Sequence, residues 1–201
     1  VRAMIKAGIK NNTTDSGLLW IAAHQRRDGG WLHCPFNGFC DIMKMLLLKK
    51  AGSGIDREEN ERFPSCPAAT LSCIRALSLS EKNEYKPKIE EAALFLLSFF
   101  KSSPTDKQLY CGLNLQPQKC GYPVMTQFDS ITALIEIFAT GLWNHPACAV
   151  IFNNIIKRQT SAGTWKLENN SRGMITSGKG ENRLVTLNVI RLLKRLDERE
   201  T

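Results

Sequence analysis

The stretch Gln25-Arg26-Arg27-Asp28-Gly29-Gly30-Trp31 has a looser second copy further along the chain, Gln159-Thr160-Ser161-Ala162-Gly163-Thr164-Trp165. In each copy a glutamine stands at a helix end, a glycine follows four residues later, and a tryptophan comes two after that. The residue types suit one task. Glutamine can bond the orphan backbone groups of a helix end, glycine admits a turn with positive φ, and tryptophan covers the junction with a large flat ring. Phe99 and Phe100 stand at the same place in an intervening unit that lacks the motif. A turn that recurs after one helix and before another predicts stacked helical hairpins.

Working outward from these turns, helical periodicity dominates. Leu18, Leu19, Ile21, Ala22 and Ala23 lead into Gln25, with Thr13, Thr14, Asp15 and Ser16 as candidate N-caps. Further helices are predicted over Phe39–Lys50, from Ser65, over Pro87–Lys101, over Thr126–Thr140 and over Pro146–Gln159. Two of them open on proline, which the first helical turn tolerates. The last helix, Asn182–Leu196, places Leu184, Leu187, Ile190 and Leu193 near helical spacing. Ser53–Phe63, Ser102–Pro123 and Thr160–Glu181 read as connections, and no segment reads as a strand. From Ala147 to Phe152 every residue is apolar, which calls for packing on two sides. Both a two-layered ring of helices and a large bundle meet that demand.

Bulk properties set the outer limits. With 201 residues, 43% hydrophobic and 23% charged, the chain suits one compact domain with a full core. No apolar run approaches the roughly 20 residues of a membrane-spanning helix. The first residue is Val1 and the helical pattern begins abruptly, so the expectation is one domain over 1–201, incomplete at its N-terminus. There are 27 basic and 19 acidic residues, a formal charge of +8. The cations are scattered, with short clusters at Arg26–Arg27, Lys49–Lys50 and Arg191–Arg195, and no nucleic-acid motif accompanies them. The charge therefore reads as a solvated face that favours phosphates or an acidic membrane surface over nucleic acid. The seven cysteines, Cys34, Cys40, Cys66, Cys73, Cys111, Cys120 and Cys148, are odd in number and lack a secretion signal, which points to reduced thiols and a cytoplasmic setting.

The segment from Gln25 to Trp31 resembles the Q-x-x-D-G-G-W repeat of terpene cyclases and protein prenyltransferase β-subunits, and Gln159 to Trp165 resembles a degenerate copy. The likeness covers most of the chain as a rhythm of outer helix, tryptophan turn and inner helix. The C-terminal half, through Gly121-Tyr122-Pro123, Trp165-Lys166-Leu167-Glu168-Asn169 and Arg183-Leu184-Val185-Thr186-Leu187, also looks like prokaryotic prenyltransferase and squalene-cyclase repeat proteins. The resemblance implies an all-α fold, an α/α toroid of inner and outer helices around an apolar cavity. Helices starting near Ser65, Thr126 and Asn182 would be inner, and those ending at Gln25, Lys101 and Gln159 outer. That makes three to four hairpins, a partial or open ring, so either a segment is missing or a protein partner covers the edge.

The chemistry of such relatives does not transfer residue by residue. The acid-initiated cyclases carry a D-x-D-D cluster, one carboxyl of which stays protonated in an apolar cavity. Here Asp28 belongs to the turn, Asp129 stands alone and Asp197-Glu198 is terminal. Prenyltransferases hold zinc with an aspartate and a cysteine one residue apart, plus a later histidine. Asp129-Ser130-Ile131 has isoleucine where the cysteine belongs, and the last histidine is His145. The paired-cysteine zinc motifs of lanthipeptide cyclases and the G-C-G-E-Q motif of thioester domains are also missing. His33, Cys34, Cys40, Cys66 and Cys73 have zinc-ligand chemistry without a C-x-x-C, so buried thiols are the plainer reading and no cofactor is expected. A cysteine nucleophile with His24 or His33 as base has nothing to place its partners.

The remaining site is the ring of inner-helix starts, at the mouth of the expected cavity: Cys66, Thr70, Cys73, Tyr122, Gln127, Asp129, Arg183 and Thr186. Helix N-terminal amides together with Arg183 would hold a diphosphate. The bland alternative makes Asp129 a helix-start residue, Arg183 a surface charge and Tyr122 loop packing. Two functions follow as expectations. One is an isoprenoid- or lipid-binding protein, taking a hydrophobic small molecule or an isoprenoid diphosphate. The other is a non-catalytic helical-repeat scaffold that binds a protein partner.

Overall fold

The computed structural model describes residues 1–32, 65–80, 82–101, 120–122, 130–170 and 182–200. The expected helix at Phe39–Lys50, the metal candidates His33, Cys34 and Cys40, and the site candidates Gln127 and Asp129 lie outside the described residues. Within them the chain is helical: α1 (Arg2–Lys6), α2 (Asn12–Ala23), α3 (Pro67–Leu77), α4 (Lys86–Lys101), α5 (Ser130–Ala139), α6 (Pro146–Ile156) and α7 (Arg183–Glu200). The non-helical pairing among them is two residues long, where β1 (Gly121–Tyr122) runs parallel to β2 (Asn169–Asn170).

Local chemistry sets the helix ends. α2 begins two residues earlier than the first of the expected caps, Thr13, would set it. Asn11 is its N-cap, accepting from the amides of Thr13 and Thr14 at 3.1 Å, while Thr14 Oγ1 accepts from the Asn11 amide at 2.9 Å. Pro67 and Pro146 occupy first turns, and His145 Nδ1 accepts from the Ala147 amide at 3.2 Å. Asn182 caps α7, its Oδ1 accepting from the Leu184 and Val185 amides at 3.0 and 3.1 Å. α5 is followed by Gly141, whose φ of +87° only glycine adopts without strain.

Successive helices alternate between two sets. α3, α5 and α7 neighbour one another in order, α4 neighbours α6, and α3 touches α2 and α4 while α5 touches α6. One apolar core runs through both sets, from Leu18 and Trp31 through Leu71, Leu96, Leu134 and Ile155 to Trp165, Val185 and Leu192. Phe95 and Phe99 meet edge to face at 5.0 Å in the intervening unit. Between α3 and α5 an Arg75 Nε–Glu136 Oε1 ion pair of 2.6 Å lies with both side chains largely buried.

The last helix is where pattern and packing part. The spacing of Leu184, Leu187, Ile190 and Leu193 points to one buried stripe, yet α7 buries Val185, Val189 and Leu192 and leaves Leu184, Leu187 and Ile190 exposed. Both sides of the helix carry apolar residues, so periodicity alone could not choose between them. Contact with α5 makes the choice.

Candidate functional site

The two tryptophan turns are built from the same hydrogen bonds. In the first, the Arg26 amide donates to Gly30 O at 3.0 Å and the Gly29 amide to Arg26 O at 3.0 Å. In the second, Thr160 donates to Thr164 O at 2.8 Å and Gly163 to Thr160 O at 2.9 Å. Gly29 and Gly163 both have positive φ, +84° and +76°. Gln25 Nε2 donates to Gly29 O at 2.9 Å, and Gln159 Nε2 to Gly163 O at 3.1 Å. The indole of Trp31 donates to Ile21 O at 2.7 Å and that of Trp165 to Ile155 O at 2.8 Å, which ties each ring to the helix before it.

The correspondence continues into the following helix. The Trp31 amide donates to Thr70 Oγ1 at 3.0 Å, and the Trp165 amide to Thr186 Oγ1 at 3.0 Å. The Cys66 amide donates to Trp31 O at 2.8 Å, as the Asn182 amide does to Trp165 O at 2.9 Å. Cys66 and Asn182, and Thr70 and Thr186, are therefore equivalent positions of one repeated device. It joins each turn to the start of α3 or α7.

This assignment decides what the expected cavity-mouth residues do. Thr70 is fully buried, and its hydroxyl also donates to Cys66 O at 2.9 Å. Thr186 is half-buried and accepts from Trp165. Cys66 is buried at the N-cap of α3. Cys73 sits at the register filled by Val189 in α7, and burial, with the nearby Cys66 adding to it, pushes its thiol up to about 12. A thiol held protonated so far above neutrality is core filler and a poor nucleophile. The Tyr122 backbone pairs with Asn170. Arg183 is exposed at the start of α7, where the nearby Leu184 and Val185 amides already serve Asn182. An anion there would meet the guanidinium without those amides. Among the described residues no three His, Cys, Asp or Glu side chains gather as a metal site.

Asp28 distinguishes the first turn. Its carboxylate accepts from Ser65 Oγ at 2.7 Å, from the Ser65 amide at 2.8 Å and from the Gly30 amide at 3.1 Å, while Arg26 Nη1 reaches Ser65 Oγ at 3.1 Å. In the second turn Ala162 replaces the aspartate, and Thr160 Oγ1 bonds Thr164 Oγ1 at 2.8 Å instead. Beside it lies an open hollow of about 510 Å³, walled by Cys120, Lys157, Arg158, Ser161, Lys166 and Glu168 among others. Glu168 bonds Arg158 Nη1 at 2.7 Å and accepts from the Cys120 amide at 2.9 Å. These walls are mostly polar and charged, unlike the apolar lining an isoprenoid chain requires.

Pattern reading passed over one signal. Thr70-Leu71-Ser72-Cys73-Ile74-Arg75 in α3 reappears in α7 as Thr186-Leu187-Asn188-Val189-Ile190-Arg191. The threonine is the acceptor just described, and the arginine in α3 is the one bonded to Glu136. Ser130 stands at the threonine register in α5, its hydroxyl buried and without a partner among the described residues. Compared with protein-family models, curated proteins and solved structures, the chain matches none.

Proposed function

We propose that this chain is an arc of α/α-toroid repeats acting as a non-catalytic helical scaffold for a protein partner. The observation that carries this reading is the engagement of the polar groups in the first turn and at the starts of α3 and α7. Thr70, Thr186, Asn182 and Asp28 are all bonded within the repeated turns. Groups that close a turn against its own helix are structural, and catalysis or ligand capture needs groups aimed outward into a cavity. The raised thiol of Cys73 agrees with this reading.

The isoprenoid reading rests on the repeat's likeness to prenyltransferases and cyclases and on Arg183, exposed at a helix start. Native mass spectrometry with farnesyl and geranylgeranyl diphosphate, with and without zinc, separates the two. The scaffold reading expects no stoichiometric lipid adduct and no bound metal. A one-to-one adduct weakened by Arg183→Ala would overturn it and install the isoprenoid site.

A further inference from the structure

Lys157, Arg158 and Lys166 gather around the open hollow beside the second turn, and the first turn is their internal control. Aligned on Gln25 and Gln159, the residues in their places are Ala23, His24 and Leu32. α2 closes there with no basic residue in its last turn, so a tryptophan turn does not require cations. The first turn also holds its own carboxylate, Asp28, where the second has Ala162. Over 157–166 the chain therefore carries three cations and no acid, and over 23–32 two cations and one acid.

Much of this positive charge is left without an internal partner. The one acid among the described residues of the hollow, Glu168, is engaged by Arg158 Nη1 at 2.7 Å and by the Cys120 amide at 2.9 Å. Lys157 and Lys166 are exposed and make no ion pair among the described residues, and Ser161 beside them is exposed as well. An enclosed pocket surrounds most of a small ligand. This hollow, of about 510 Å³, is open to one side, which suits charged side chains reaching in from a backbone that stays outside.

We infer that the hollow binds an acidic segment of the protein partner, with one carboxylate on Lys157 and another on Lys166. The inference rests on the scaffold reading and names the chemistry of what the scaffold holds. Charge complementarity carries it, because the same lysines attract carboxylates and turn basic segments away.

The probe is a fluorescein-labelled peptide with a run of consecutive acidic residues flanked by glycine and serine, titrated into the intact chain at low salt and followed by anisotropy. One-to-one binding that weakens as salt rises is expected. Lys157→Gln combined with Lys166→Gln weakens it about tenfold, as for two surface ion pairs lost, while circular dichroism shows unchanged helix content. Lys6→Gln combined with Lys10→Gln, which removes the same charge from exposed positions, weakens it less than about twofold. Glu168→Gln takes the acid out of the hollow and tightens binding about threefold. Equal losses in the two double variants would reduce the binding to the general attraction of a +8 chain and overturn the inference. No binding overturns it too. So does inorganic diphosphate that binds the same lysines more tightly than the peptide, which makes the hollow a small-anion site. A dimer in sedimentation equilibrium that the Lys157→Gln, Lys166→Gln chain cannot form gives the hollow to a second copy, with the same consequence. A lipid adduct lost with Arg183→Ala in the previous experiment removes the scaffold reading instead, since Arg183 stands outside the hollow.

Discussion

Gly29 and Gly163 do the same backbone work in different surroundings, so they separate conformational strain from crowding. Each has positive φ, where an added Cβ costs about 1–2 kcal/mol. At Gly163 that strain is the whole expense, because the nearest neighbour among the described residues, Gln159 Nε2, would lie at an ordinary contact distance of 3.8 Å. At Gly29 the new Cβ would also press on the Glu91 carbonyl at 2.7 Å, a backbone atom that can move only with α4. Urea unfolding should therefore show Gly163→Ala destabilised by about 1–2 kcal/mol and Gly29→Ala by about 3 kcal/mol or more. Equal losses would mean that α4 yields. The glycines and tryptophans of these turns were legible in the sequence because the turn imposes its needs locally. The threonines that receive the tryptophan amides were noticed, but their role was not. That role depends on a partner 39 residues away for Thr70 and 21 for Thr186.

At the scale of the element, α3 and α7 carry the same Thr-Leu-x-x-Ile-Arg register with different neighbours. In α3 the arginine bonds a glutamate with both partners about 15% exposed, so removing one strands the other. Arg75→Ala should destabilise by about 2 kcal/mol in urea unfolding. Arg75→Met combined with Glu136→Leu should lose clearly less, since no charge is left without a partner. The corresponding Arg191→Ala in α7 should change stability by less than about 0.5 kcal/mol. Helix existence followed from periodicity and caps, and the N-cap role of Asn182 follows from its side chain reaching two amides in the next turn.

For the whole molecule, burial makes stability sensitive to alkali. Burial raises Cys73 from an ordinary value of 9.0 to about 12, with Cys66 adding to the rise, and raises Cys148 to about 11. The folded chain thus keeps thiol protons that the unfolded chain releases above pH 9. Their contribution is complete below that pH and is lost as pH climbs toward 11 and 12. Urea midpoints measured from pH 8 to 11 should be level at first and then fall. Mass-spectrometric mapping of alkylation at pH 8.5 should find Cys73 and Cys148 nearly unmodified until denaturant is added. Rapid native alkylation of Cys73 would place it at an accessible site.

The sequence by itself determined that the chain is all-α, where most of its helices run, and that two turns share one design. Those properties depend on groups within a few residues of each other: caps, glycine φ and helical spacing. Only the tertiary structure decided which side of α7 faces the core, because Val185–Val189–Leu192 and Leu184–Leu187–Ile190 are both apolar and the choice belongs to α5. It also decided that Thr70 and Thr186 complete the turns, since hydrogen-bond partners distant along the chain meet only after the helices pack.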